Sequence, residues 1–156
     1  MIKILFVCLG NICRSPMAEA VFRKLIEDNG LKGEFLIDSA GIGDWHIGNP
    51  PHEGTLHILD HNNVNYDGLR ARQVQNRDLE EFDYIIAMDV ENVGQLRSMA
   101  GYKKSARIAR LLDYVPGLEL DDVPDPYFTG NFEEVYDLVL AGCQYLLDDI
   151  RKEQHI

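Results

Sequence analysis

Lys3-Ile4-Leu5-Phe6-Val7-Cys8-Leu9-Gly10-Asn11-Ile12-Cys13-Arg14-Ser15-Pro16 is the stretch on which the fold turns. From Lys3 to Cys8 it is a compact run of Ile, Leu, Phe and Val, the pattern of a strand covered on both faces. Ser15-Pro16 then reads as an N-cap followed by proline at the first helical position. Beyond it Met17, Val21 and Leu25 recur at four-residue spacing, with Ala18, Phe22 and Ile26 beside them, until Asn29-Gly30 stops the helix. A strand, a tight loop and a helix are the first half of a parallel crossover unit.

The rest of the chain repeats that alternation. Glu34 to Ser39 reads as a second strand, followed by a glycine-rich loop with Trp45 and then a helix from His52 to Asn62. Asp83 to Met88 is a third strand, with Asp89 placed to cap the helix after it. Arg107 to Leu112 is a fourth. A loop rich in Asp and Pro leads to Asn131, a cap for a last helix whose buried face is Val135, Leu138, Val139, Leu146 and Ile150. The expectation is an α/β fold: one domain over residues 1–156, a four-stranded parallel sheet, helices on both faces in a doubly wound arrangement. Ligands of such folds sit beyond the carboxyl ends of the strands, which here gathers residues 8–15, 39–49, 89 and 113–130.

Composition narrows the function. With 46% apolar and 26% charged residues the chain is an ordinary globular one. A net charge of −11 argues against nucleic acid or an anionic membrane as partner, since both select basic surface. The apolar run Ile4 to Leu9 is too short for a membrane span or a signal-peptide core. Three cysteines do not make a closed disulfide set, so reduced thiols and a cytoplasmic location are expected. Histidines 46, 52, 57, 61 and 155 lack ligand spacing with the cysteines, and His57 and His61, one helical turn apart, have no third ligand nearby; no metal is expected. Nothing in the pattern speaks to an oligomeric state.

The loop between first strand and first helix can hold an anion. Residues that curl into a helix start turn their N–H groups inward, and the helix dipole adds to that field. Gly10 and Asn11 tolerate the left-handed backbone such a curl needs. Arg14 can close the ring as a two-pronged donor to phosphate oxygens. Cys8 lies at the floor, where the donors, the cation and the helix start all favour thiolate over thiol, and Ser15 is within reach of its sulfur. A bare Cys-x5-Arg is a weak signal; the strand before it and the helix after it sharpen it. The rival reading makes Cys8 a buried strand-end thiol and Arg14 a surface residue.

Cleaving a phosphate ester through a cysteine also needs a proton for the departing oxygen. Asp125, stiffened between Pro124 and Pro126 on the same side of the sheet, is the candidate general acid, and once ionised it can act as base toward water. Taken alone, the reading of Asp125 as one of several solvated acids beside Asp121 and Asp122 is the favoured one.

Over essentially its whole length the chain resembles the low-molecular-weight protein tyrosine phosphatases. The matching pieces are Val7 to Pro16, Ser39-Ala40-Gly41, Ala71-Arg72-Gln73, Phe82 to Ile85 with Met88-Asp89, and Asp125-Pro126-Tyr127. The resemblance implies Cys8 as nucleophile, Arg14 as phosphate binder, Asp125 as general acid, and no metal or organic cofactor. Asn11, Ser15 and Ser39 match positions that hold the loop by hydrogen bonds. Phosphotyrosine proteins would be the substrates and inorganic phosphate a product. Substrate binding is expected from Leu9, Gly10, Asn11, Ile12, Cys13 and Ser15 in the loop, and from Trp45, Tyr127 and Phe128 as walls for a planar ring. Ile12 stands where the related protein-arginine phosphatases resemble a threonine, which favours tyrosine; for Trp45, ordinary loop packing is an equal alternative.

Cys13, five residues from Cys8, is a candidate for a reversible disulfide that shields the nucleophile, with loop packing as its alternative. Cys143, on an apolar helix face, is read as core. Two departures from the family stand out: Leu69 and Arg70 occupy the stretch where some members carry a loop-supporting histidine, and Phe128 replaces a common tyrosine, leaving Tyr127 as the modifiable ring. Arsenate reductases share the fold and loop, but their relay needs mid-chain cysteines, and none lies between Cys13 and Cys143. A non-catalytic phosphotyrosine-binding module would have no use for Asp125.

Overall fold

The computed structural model describes residues 1–101 and 107–156. Four strands, β1 (Ile2–Cys8), β2 (Phe35–Gly41), β3 (Tyr84–Ala87) and β4 (Arg107–Arg110), form one all-parallel sheet in the order β2-β1-β3-β4. The helices are α1 (Arg14–Asp28), α2 (Glu53–His61), α3 (Asp78–Glu81), α4 (Val90–Ala100), α5 (Pro126–Thr129) and α6 (Phe132–Gln154). As expected, the class is α/β with helices on both faces.

β1 is central, and its residues Ile4 to Val7 are fully buried. Alternate side chains feed two cores. Ile4, Phe6 and Cys8, with Tyr84, Ile86 and Met88, face the layer of α1 and α6. Leu5, Val7, Ile85 and Ala87 face Val93 and Leu96 of α4 and Leu79 of α3. Burial on both sides is why the strand reads as an unbroken apolar run rather than an alternation. The Phe22 ring of α1 lies 5.7 Å from both Phe6, tilted, and Phe35, edge-on, tying helix to sheet.

After β2 the chain crosses to the other side of β1, so the loops leaving β1 and β3 diverge and open a crevice between them. That crevice holds the Cys8–Ser15 loop and Asp89. Two expected caps are present: Asp89 accepts from the Asn92 N–H at 2.8 Å and Asn131 from the Glu134 N–H at 3.1 Å.

Several boundaries differ from the sequence reading. α1 begins at Arg14, with Cys13 at the cap position and no side-chain cap, so Ser15 is not the cap. Its hydroxyl goes to Cys8 and Asn11 instead. β4 ends at Arg110; Leu111–Tyr114 turn as a 3₁₀ segment in which the Asp113 carboxylate accepts from the Arg110 N–H. Leu138 is half-buried at the edge of the α6 face. The short helix α5 lies within the loop expected before Asn131, and α3 lies in a stretch for which the sequence suggested no element. Among the described residues no helix is long and apolar enough to cross a membrane.

Candidate active site

Cys8 ends β1, 3% exposed, and its Sγ lies 3.0 Å from the Ser15 hydroxyl and 3.3 Å from the Asn11 N–H. Asn11 holds φ at 57°, the left-handed conformation that asparagine tolerates. Gly10 does not share it. Its glycine answers a space requirement: a Cβ there would stand 3.1 Å from the His46 ring. Gly41, at the end of β2, is tighter still, since its Cβ would meet the Gly10 carbonyl carbon at 3.0 Å and the Asn11 nitrogen at 3.1 Å.

The loop is braced from four directions. The Asn11 side-chain amide donates to Ser15 Oγ at 2.7 Å and to Ser39 Oγ at 3.0 Å, and its Oδ1 accepts from the Arg72 N–H at 3.0 Å. Arg72 is itself fixed by a two-pronged grip on Asp78 at 2.9 and 3.1 Å and by Asp38 at 3.1 Å. The His52 N–H donates to the Ile12 carbonyl at 2.7 Å, and the Thr55 hydroxyl to that of Cys13 at 3.2 Å. The chain just past β2 contributes through Ile42 and Gly43, whose N–H groups reach the Cys8 and Leu9 carbonyls at 2.9 Å. Leu69, where the family resemblance suggested a possible histidine, is buried in the core.

Arg14 is 2% exposed. Nη1 donates to Asp89 Oδ2 at 2.7 Å and to the Val123 carbonyl at 2.9 Å; Nη2 reaches Asp125 Oδ2 at 3.3 Å. Nε is buried with no protein acceptor among the described residues. Burial alone would lower the pKa of this guanidinium, but the negative groups at Cys8, Asp89 and Asp125 outweigh it and hold it above its ordinary value. Asp125 also caps α5, its Oδ1 accepting from the Tyr127 N–H at 3.1 Å.

Above the sulfur lies a cavity of about 390 Å³ whose lining includes Cys8, Leu9, Gly10, Ile12, Cys13 and Asp125, with Trp45, His46, Tyr127 and Phe128 at the rim. So Cys8, Arg14 and Asp125 come together from residues 8, 14 and 125, and the anticipated ring walls gather at one mouth. Asn11 and Ser15, expected both to touch substrate and to support the loop, have their side chains buried in the support network, as does Ser39. Trp45 is 65% exposed and lies across Gly43, where a Cβ would fall 2.1 Å from the indole, so loop packing and rim placement coexist in one residue. Burial, followed by the neighbouring Cys8 and Asp125, pushes the Cys13 thiol up to about 12. Cys143 is fully buried, its thiol also pushed up by burial, in keeping with a core role.

Five participants were missed from sequence. Asp89 was read as a helix cap at the ligand end of the sheet, with no side-chain partner in the site, yet its second oxygen holds Arg14. His46 packs on Gly10 and lies 6.4 Å from the Tyr127 ring; His52 caps α2, stacks on Phe132 at 5.1 Å and meets Tyr127 edge-on at 6.0 Å. Glu19 carried one legible signal, an acid one turn beyond Ser15 on a helix stretch otherwise buried. Arg72 carried none beyond the motif containing it.

Cys8 at the base of a strand-loop-helix turn, the buried Arg14 and the facing Asp125 thus lie side by side. Comparison with known proteins gives the family: residues 3–155 match the model for low molecular weight phosphotyrosine protein phosphatase, and the chain belongs to that family of phosphoric monoester hydrolases. It is 63% identical over 156 residues to the low molecular weight protein-tyrosine-phosphatase YfkJ of Bacillus subtilis, covering 100% of both chains. The crystal structure of YfkJ superposes with a TM-score of 0.96 at 64% identity, covering 98% of this chain and 96% of that one. A Drosophila arginine phosphatase structure is also similar, with a TM-score of 0.89 at 33% identity over 96% and 98% of the two chains.

Proposed function

We propose that the chain hydrolyses phosphotyrosine in proteins through a phosphocysteine intermediate, with Cys8 as nucleophile, Arg14 as phosphate ligand and Asp125 as acid and base. One observation carries the reading: Cys8 and Asp125 line one cavity walled by apolar and aromatic side chains, and the buried Arg14 guanidinium is tied to that same Asp125 carboxylate at 3.3 Å.

The chemistry follows from those positions. Cys8 Sγ attacks phosphorus as a thiolate while loop N–H groups and Arg14 neutralise the phosphoryl oxygens, removing the repulsion an anionic attacker would meet. Arg14 Nε is the free donor for one such oxygen, and Nη2, now on Asp125, is close enough to serve a second. Asp125 protonates the departing phenolate. Ionised, it then takes a proton from the water that attacks the phosphocysteine, releasing inorganic phosphate and restoring the thiolate. The site needs no metal or organic group for any of these steps.

The walls favour an aryl ester. Ile12 lines the cavity together with Cys8, and Tyr127, Phe128 and Trp45 line it as aromatic walls for a phenyl ring. The similarity to an arginine phosphatase makes phosphoarginine the competing substrate. Free thiols at Cys8, Cys13 and Cys143 support a reducing, cytoplasmic setting. Cys13, which shares the cavity with Cys8, would then form the reversible disulfide under peroxide.

Rates on phosphotyrosine, phosphoserine and phosphoarginine peptides test the reading with the parent, Cys8→Ser and Asp125→Ala. Phosphotyrosine should lead, Cys8→Ser should abolish turnover, and Asp125→Ala should lose about 10²–10⁴-fold, less on esters with good leaving groups. Turnover surviving Cys8→Ser, or phosphoarginine as the preferred peptide, refutes it.

A further inference from the structure

Of the three acids on α1, Glu27 and Asp28 are exposed while Glu19 is 3% exposed. A buried carboxylate persists where it is paired. Glu19 Oε2 meets Arg23 Nη2 at 2.5 Å, and Oε1 accepts from the Ser39 hydroxyl at 2.6 Å. Burial raises its pKa, against which Ser39 and then Arg23 stabilise the anion, while Asp38 on β2 adds a smaller push upward. Leu69, apolar and buried, offers this network no donor.

The protons in the chain from Glu19 to Cys8 have one consistent order. The Arg72 N–H donates to Asn11 Oδ1, so the Asn11 amide nitrogen faces the two serines. That nitrogen has two hydrogens and gives one to Ser15 and one to Ser39. Ser39 therefore spends a lone pair on Asn11, and its own hydrogen goes to Glu19. Ser15 likewise accepts from Asn11, which leaves its hydrogen for Cys8 Sγ at 3.0 Å. An ionised carboxylate is acceptor-only, so it permits this direction and no other at Ser39.

We infer that Glu19 is a positioning residue: through Ser39 it fixes the Asn11 amide, and so keeps the Ser15 hydroxyl donating to the Cys8 thiolate. The inference rests on the reading of Cys8 as nucleophile. Arg23 completes the device, because it neutralises Glu19 and decides how a substitute would sit. In Glu19→Gln the guanidinium claims the amide oxygen, which turns the amide nitrogen toward Ser39. Ser39 then faces two donors and no acceptor: its own hydrogen, which Glu19 had taken, is left unpaired in a buried site, and its hold on Asn11 loosens.

Alkylation of Cys8 by iodoacetamide, followed across pH with the site located by mass spectrometry, reads the thiolate without requiring turnover. Glu19→Gln should raise the apparent pKa of Cys8 by about one unit, the scale of one hydrogen bond to a charged group. It should lower kcat about tenfold while KM stays within about threefold, the signature of an interaction used on the reacting atom. In a Ser39→Ala background the same substitution should add little, because the route runs through Ser39. An unshifted Cys8 titration, or equal effects in both backgrounds, overturns the inference. If Glu19→Gln does not fold, Glu19→Asp, which keeps the charge but cannot span Ser39 and Arg23 together, carries the same readouts. Full turnover in Cys8→Ser would instead refute the underlying reading, a separate result.

Discussion

Replacing Asp89 by asparagine isolates what its charge does for the site. Asp89 makes two contacts with two different oxygens: Oδ2 takes Arg14 Nη1 at 2.7 Å, and Oδ1 caps α4 through the Asn92 N–H at 2.8 Å. Asparagine caps a helix about as well as aspartate, so Asp89→Asn keeps the second contact and loses the charge from the first. A hydrogen bond to a charged group contributes about 1.5–3 kcal/mol. Arg14 is 2% exposed, but Asp89 is 20% exposed and Val123 and Asp125 still hold the guanidinium, which puts the loss near the middle, about 2 kcal/mol. For a chain of this length that is a fall in Tm of roughly 4–8 °C. Asp89→Ala should cost about 1 kcal/mol more, the worth of the cap. Urea denaturation of both variants measures the two increments, and kcat/KM on an aryl phosphate should fall in both as Arg14 loses its side anchor. Asp89→Asn with unchanged stability and kcat/KM within about twofold of the parent would refute the argument.

Gly43→Ala places a methyl 2.1 Å from the Trp45 indole and must displace it, so KM for phosphotyrosine peptides should rise with little change in Tm; an unchanged KM removes Trp45 from substrate contact. Gly41→Ala meets backbone instead and should cost about 1–3 kcal/mol with loss of Cys8 reactivity, read by denaturation and alkylation. The Cys13 thiol is held protonated well past its ordinary 9.0, up to about 12. The unfolded chain then loses its Cys13 proton first, so stability present below pH 9 declines as pH rises through that window, and Cys13→Ser should flatten the decline in urea titrations between pH 8 and 11. After peroxide, dithiol should rescue the parent more fully than Cys13→Ser; equal recovery removes the shielding disulfide.

What the sequence revealed depended on whether the signal was local. The β1 run and the α1 periodicity each lie within one short stretch, and both stand as read; the Cys8–Arg14 spacing spans the turn between them. Ser15 was misassigned because a hydroxyl beside a helix start has a local backbone partner on offer, while its actual partners, Cys8 and Asn11, are set by how the loop curls. Gly10 was assigned a backbone role when it answers the ring of His46, 36 positions away in the chain and invisible to any window. Asp89 was legible as a cap because a cap is local, and illegible as the Arg14 anchor because that contact spans 75 residues. Glu19 and Ser39 are 20 apart and meet only once α1 lies on β2. Asp125 was recognisable by resemblance, since composition alone left it among other acids.

The floor of the cavity and its rim are built from separate parts of the chain. Residues 8–15 supply the sulfur, the amides and the guanidinium, and they are held from behind by β2, α2 and the Arg72 strap. Residues 45–46 and 127–128 supply the aromatic collar, in which Trp45, Tyr127 and Phe128 face outward. On the proposed chemistry, exchanging those three outward rings would change which phosphorylated side chains are admitted while Cys8, Arg14 and their supports stay in place.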